Sequence, residues 1–175
     1  MHLLNLTALL GLVVAANSVT LQDLMNALNT HGQKVWTRYR SFEVACSNQT
    51  YKCTYVEVRY LKPGEYRYLQ HYELGSSWRS NDFHAKLRDK PKRAAGPIMR
   101  VSPQPGGVGV DYTLRFWDAT EHCAIFTRSF SGRRHCEMHV WDDHVRRHVP
   151  QCQMAYKKYC FSLPEYPLYT RQCDP

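Results

Sequence analysis

The chemically capable residues are 9 His, 7 Cys and the acids among them, in a chain of 175 residues. Nucleophilic or metal catalysis needs such groups in a framework. The sequence holds no GxSxG elbow, no HExxH helix, no P-loop and no caspase-like Cys segment. His135, Cys136 and Glu137 are chain neighbours, and on a strand alternating faces separate them. His144 and His148 stand at i and i+4 near a strand-to-helix junction, a spacing that suits only adventitious zinc. No catalytic residue, metal or cofactor is therefore expected. What remains is Glu137-x-His139-x-Trp141, three side chains on one face of a strand, with Phe126 and Arg128 two apart on the preceding strand. A few polar groups among aromatic rings is how a small-molecule site is composed. The plain alternative is a polar pair that satisfies itself inside a core.

The cysteines fall at 46, 53, 123, 136, 152, 160 and 173. No CxxC pair occurs, which argues against a zinc ribbon or a thioredoxin-like motif. The N-terminus gives another reading. Residues 1–16 lack Lys, Arg, Asp and Glu, and Leu3–Ala16 is an apolar run ending in small residues. About 14 apolar residues fall short of the ~20 that a membrane span needs. Residues 1–18 thus read as a cleaved signal peptide and 19–175 as a single secreted domain, with no membrane span and with its cysteines in disulfides. An odd number leaves one thiol over. Asn48-Gln49-Thr50 is a glycosylation sequon, which places Asn48 on an exposed loop.

The elements that must position these groups show in the periodicity. Thr20–His31 reads as a short helix, with Thr20 as N-cap, Gly32 as stop, and Leu21, Leu24, Met25 and Leu28 on one stripe. Strand-like runs follow at Gln33–Glu43, Tyr51–Leu61, Glu65–Leu74 and Trp78–Ala85, divided by the turns Lys62-Pro63-Gly64-Glu65 and Gly75-Ser76-Ser77. Residues 86–109 carry Pro91, Pro97, Pro103, Pro105 and four glycines, and read as irregular loop with one or two edge strands. Val110–Asp118, Glu121–Phe130 and His135–Val145 are three more strands, Pro150–Tyr159 a helix, and Phe161–Pro175 an extended tail. Helix, seven or eight antiparallel strands, helix: the fold class is all-β with flanking helices, an up-and-down barrel. An immunoglobulin sandwich competes, but its Cys…Trp…Cys spacing is missing.

The net charge is +8, densest at Lys86-Arg88-Lys90-Lys92-Arg93 and Arg146-Arg147-His148. Most of it lies scattered through the strands, as on a solvated surface. No nucleic-acid motif accompanies it, and no nucleic-acid partner is expected.

From His122 to Cys173 the chain resembles the salivary lipocalins of ticks, the histamine-binding-protein family. That family's motif is Cys-Asp-[Val/Ile/Leu], a spacer, Glu-Leu-[Trp/Tyr], a second spacer and Cys. Here the elements read Cys123-Ala124-Ile125, Glu137-Met138-His139 and Cys152, with spacers 126–136 and 140–151. The opening helix, the Trp36 strand and a Cys near the C-terminus also match. The resemblance implies an eight-stranded antiparallel lipocalin barrel, a short N-terminal helix and a C-terminal helix packed on the barrel. It suggests the pairs Cys53–Cys173 and Cys123–Cys152. If Glu137 faces inward as in the family, Cys136 faces outward, toward a helix that ends at Cys160; Cys136–Cys160 is the third pair and Cys46 the odd thiol.

On the same footing the expected pocket holds Glu137, His139, Trp141, Phe126, Arg128, Phe116, Tyr112, Tyr68, Tyr60 and Trp36. Two departures from the motif bear on the ligand. Amine-binding members meet an ammonium with buried carboxylates, and this chain has Ala124 in place of Asp and His139 in place of an aromatic. The resemblance then points to a monomeric scavenger of a small hydrophobic or amphipathic host mediator: a sterol, a fatty-acid derivative or a leukotriene-like lipid. An immunomodulator whose surface engages a host protein or immune cell is the alternative, and a histamine or serotonin scavenger the second alternative.

Overall fold

The computed structural model of the protein describes residues 18–92 and 95–173. The expected signal peptide, but for Ser18, lies outside them, as does Arg93 of the basic cluster. Helix α1 spans Leu21–Leu28, and Thr20 and Asp23 cap it reciprocally: Thr20 Oγ1 accepts from Asp23 N–H, and the Asp23 carboxylate accepts from Thr20 N–H. The helix stops one turn before His31. Asn29 N–H turns back to the carbonyls of Met25 and Asn26, and His31 and Gly32 take positive φ in the turn that follows.

The strands are β1 (Val35–Arg40), β2 (Ala45–Cys46), β3 (Gln49–Lys62), β4 (Glu65–Leu74), β5 (Ser77–Arg88), β6 (Ile98–Ser102), β7 (Val110–Asp118), β8 (Cys123–Phe130) and β9 (Arg133–Trp141). Helix α2 (Pro150–Tyr159) and a short β10 (Tyr166–Pro167) follow. Each strand from β3 to β9 pairs antiparallel with the next, and β1 pairs with both β9 and β3. The sheet thereby closes into an eight-stranded barrel, which removes its edges. Strand β6 corrects the edge position expected for a strand within 86–109. It is an inner member of the barrel between β5 and β7, and the prolines and glycines occupy the connections on either side. β2 forms a hairpin with the start of β3, and the exposed Asn48 sits at its tip with φ +63°. No helix among the described residues is long and apolar enough to cross a membrane.

Two apolar layers hold the barrel. Inside, Leu24, Ala27 and Leu28 of α1 pack on Val35, Met99, Leu114, Phe126 and Trp141 and close one end. Outside, Ala155 and Tyr156 of α2 cover Trp36, Ile125, Met138 and Val140. Strand alternation generates both layers: Ala124 and Phe126 point in, Cys123 and Ile125 point out. The three disulfides found among the described residues lie in the outer layer. Cys123–Cys152 and Cys136–Cys160 fix α2 to β8 and β9, and Cys53–Cys173 ties the tail to β3. Cys46 is a free, exposed thiol. Loop closure makes each bridge worth about 3–5 kcal/mol. Val149, the N-cap of α2, supplies no side-chain cap, and Glu121 replaces it by accepting from Gln151 N–H and Cys152 N–H, each at 3.0 Å.

Candidate ligand-binding cavity

The barrel end opposite α1 opens into a cavity of about 1070 Å³, just above the ~300–1,000 Å³ usual for small-molecule sites. Phe42, Tyr51, Val108, Phe130 and Arg134 frame its mouth, and Tyr68, Val56 and His139 line its deep end. Below His139 the space narrows to a pocket of about 10 Å³ between Phe126, Trp141 and α1. Trp141 donates its indole N–H to the Ala27 carbonyl at 3.3 Å, which fastens the floor to the helix.

At mid-depth sits a charged cluster. Glu137 on β9 is buried and accepts a hydrogen bond of 2.8 Å from His139 Nε2, its neighbour on the same face. Arg128 on β8 approaches the other carboxylate oxygen at 4.0 Å, an ion-pair distance too long for a hydrogen bond. Burial alone would raise the Glu137 pKa; the His139 hydrogen bond and the charges of His139, Arg128 and Arg40 outweigh it and hold the carboxyl below its ordinary value. Arg40, at the end of β1, is 6% exposed. Burial lowers its pKa, nearby Arg128 lowers it further, and Glu137 and the rim residue Glu43 oppose this. The guanidinium of Arg128 lies 4.3 Å from the Phe42 ring centre and 5.6 Å from that of Tyr112. Burial and the Glu137 charge also raise the phenols of Tyr68 and Tyr112, which stay neutral donors at physiological pH.

The buried Nε atoms of Arg40 and Arg128 have no hydrogen-bond partner among the described residues. Two guanidinium groups thus share one buried carboxylate that His139 already engages. Buried cations need paired anions, so the cluster carries donors for a negatively charged or strongly accepting group from outside.

Of the ten expected pocket residues, Glu137, His139, Arg128, Tyr112 and Tyr68 face this cavity. Phe126 and Trp141 lie beneath it in the floor. Three are elsewhere. Trp36 lies on the outer face between Tyr55 and Tyr169, with its indole N–H on Asp142 at 2.5 Å. Phe116 also faces out, in the layer under α2, because β7 bulges between Leu114 and Phe116 and the alternation changes phase. Tyr60 runs past the closed end of the barrel, is 62% exposed and packs edge-on against Tyr66.

Arg40, Phe42 and Tyr51 line the cavity and were not anticipated. For Arg40 the cause is a second bulge, between Thr37 and Tyr39, which turns Arg40 inward. For Tyr51 there was a signal: it opens the Val- and Tyr-rich run opposite β4, where it stacks on Tyr72 at 4.0 Å.

The family model for the tick histamine binding protein matches residues 15–175. No curated protein sequence matches the chain. Among solved structures, japanin from Rhipicephalus appendiculatus bound to cholesterol is 17% identical with a TM-score of 0.56, the match covering 84% of this chain and 98% of japanin. The AM182 serotonin complex is 14% identical with a TM-score of 0.66, over 91% of this chain and 95% of AM182. The siderocalin Ex-FABP, which functions through dual ligand specificities, is 11% identical with a TM-score of 0.50, over 74% and 83%. These likenesses establish a shared lipocalin fold. The family match spans nearly the whole sequence, and the chain belongs to the tick histamine-binding protein family.

Proposed function

We propose that this protein is a secreted, one-domain carrier that takes up a small amphipathic host mediator, anionic at its head, and dampens host inflammation by sequestering it. The observation that carries this reading is the pair of guanidinium groups of the buried Arg40 and the half-buried Arg128, whose buried Nε donors have no hydrogen-bond partner among the described residues on the wall of an aromatic cavity. A carboxylate would accept from both, while Phe42, Tyr68, Tyr112 and Phe130 receive an apolar chain. That a barrel of this shape holds cholesterol in japanin and serotonin in AM182 supports a small-molecule role. The charge pattern turns the choice from an amine to an acid. Glu137 is engaged by His139, Ala124 offers no carboxylate, and two guanidinium groups repel an ammonium. The family, the disulfides and the apolar N-terminal run support secretion.

Native mass spectrometry after titration with a C20 polyunsaturated fatty acid, cholesterol, histamine and serotonin tests the reading. The expected result is one equivalent of the acid, retained more strongly than any of the other three. Tighter binding of either amine would overturn it. If none of the four binds, engagement of a host protein or cell by the surface replaces it.

A further inference from the structure

We infer that the closed end of the barrel, opposite the ligand cavity, carries a binding site for a divalent transition-metal ion built from His122, Asp143 and His144. His122 ends the turn between β7 and β8, and Asp143 and His144 lie in the turn after β9. His122 Nδ1 is 2.9 Å from Asp143 Oδ2, and His144 Nδ1 is 2.8 Å from Asp143 Oδ1. The three ligand atoms lie within 4.8 Å of one another, and the two imidazole rings are 4.6 Å apart between centres. In a tetrahedral zinc site with ~2.0–2.1 Å bonds, ligand atoms stand ~3.3 Å apart. The two imidazole–carboxylate contacts need to widen by only about half an ångström to reach that spacing. Each ring carries its proton to Nε2 and turns an Nδ1 lone pair to the ion. Two imidazoles and a carboxylate select the zinc and copper class over calcium or magnesium, and water completes the coordination.

The rest of the site is already fixed. His122 is held at φ +46°, precedes the bridged Cys123, accepts from Trp141 N–H at 2.9 Å through its carbonyl, and rests its ring 4.4 Å from the Trp141 ring. His144 N–H and Val145 N–H both donate to the Trp141 carbonyl. Gln33 braces Asp143: its amide oxygen accepts from Asp143 N–H at 3.3 Å, and its NH₂ group is 3.5 Å from Asp143 Oδ2. This outer partner orients the ligand as in built metal sites. The three residues are 29%, 35% and 16% exposed, which leaves an entry path. The sequence offered His144 with His148. The fold instead joins His144 to a histidine 22 positions away, through a strand pairing that puts two turns side by side.

The test uses the full secreted protein without an affinity tag, dialysed against chelator and titrated calorimetrically with Zn²⁺, together with electron paramagnetic resonance of the Cu²⁺-loaded protein. One equivalent of Zn²⁺ at low-micromolar affinity or tighter is expected, with two nitrogens coupled to the copper. His122→Asn, chosen because Asn tolerates the left-handed backbone, and Asp143→Asn should each weaken Zn²⁺ at least tenfold. Near-UV circular dichroism checks that each variant is folded. Should His122→Asn not fold, Asp143→Asn and the wild-type copper spectrum decide. Absence of stoichiometric uptake, uptake unchanged in the folded variants, or a copper spectrum with fewer than two nitrogens would overturn the site.

Discussion

Glu137 and His139, two residues apart on β9, face the same cavity and are joined by a hydrogen bond of 2.8 Å. The bond occupies the carboxylate that an amine would need, and the charges of Arg128 and Arg40 act on the same carboxylate. The chemistry of the cavity follows from this shared anion.

Its first consequence is a pH-dependent stability. The Glu137 carboxyl is held below its ordinary value of 4.5 in the folded protein. A depressed folded pKa contributes stability that is fully present above the unfolded value and lost as pH falls through the folded one. Glu137→Ala should therefore cost about 3–5 kcal/mol at neutral pH, the usual cost of breaking a buried pair. The gap to wild type should narrow below pH 4.5. Urea denaturation of both proteins from pH 7 to pH 3 checks this, and a gap constant over that range would be the contrary result.

A second prediction separates packing from binding on a single strand. Trp36 and Arg40 both lie on β1, but Trp36 packs outside the barrel and Arg40 faces the cavity. Trp36→Ala should lower stability by about 3–5 kcal/mol, as large core truncations do, and leave fatty-acid affinity unchanged. Arg40→Gln should do the reverse and weaken the acid at least tenfold, or ~1.4 kcal/mol. Thermal denaturation and calorimetric titration of both variants read the two effects.

The same two residues mark how far the sequence could be followed. Plain alternation puts Trp36 and Arg40 on one face, as it does Leu114 and Phe116. In each strand one extra residue, between Thr37 and Tyr39 and between Leu114 and Phe116, changes the phase, and no residue type at those points announces it. Where no bulge intervenes, as from Glu137 to Trp141, alternation fixes the face. Turn chemistry at Gly64, Gly75 and Gly132 located the hairpins, each glycine having positive φ. Strand β6 was obscured because Pro97 and Pro103 bracket only five residues, Ile98–Ser102, that pair on both sides. The charge balance of the cavity was beyond reach, since Arg40 and Arg128 come together only when the barrel closes.

A third prediction concerns the covalent frame. Alkylation of the native protein should label Cys46 and spare the six bridged cysteines, and non-reducing peptide mapping should return the three pairs. Removing Cys53 and Cys173 together should cost about 2–5 kcal/mol, because their bridge spans 120 residues of sequence. Denaturation of the double alanine variant measures that cost.

The proposed carrier recognises a negative head group through Arg40 and Arg128. The most direct measurement is the ratio of affinities for a C20 polyunsaturated fatty acid and its methyl ester, which share the chain and differ in charge. The acid should bind at least tenfold more tightly, and in the Arg40→Gln, Arg128→Gln double variant the ratio should fall to near one. Equal affinities for acid and ester in the wild-type protein would contradict the account.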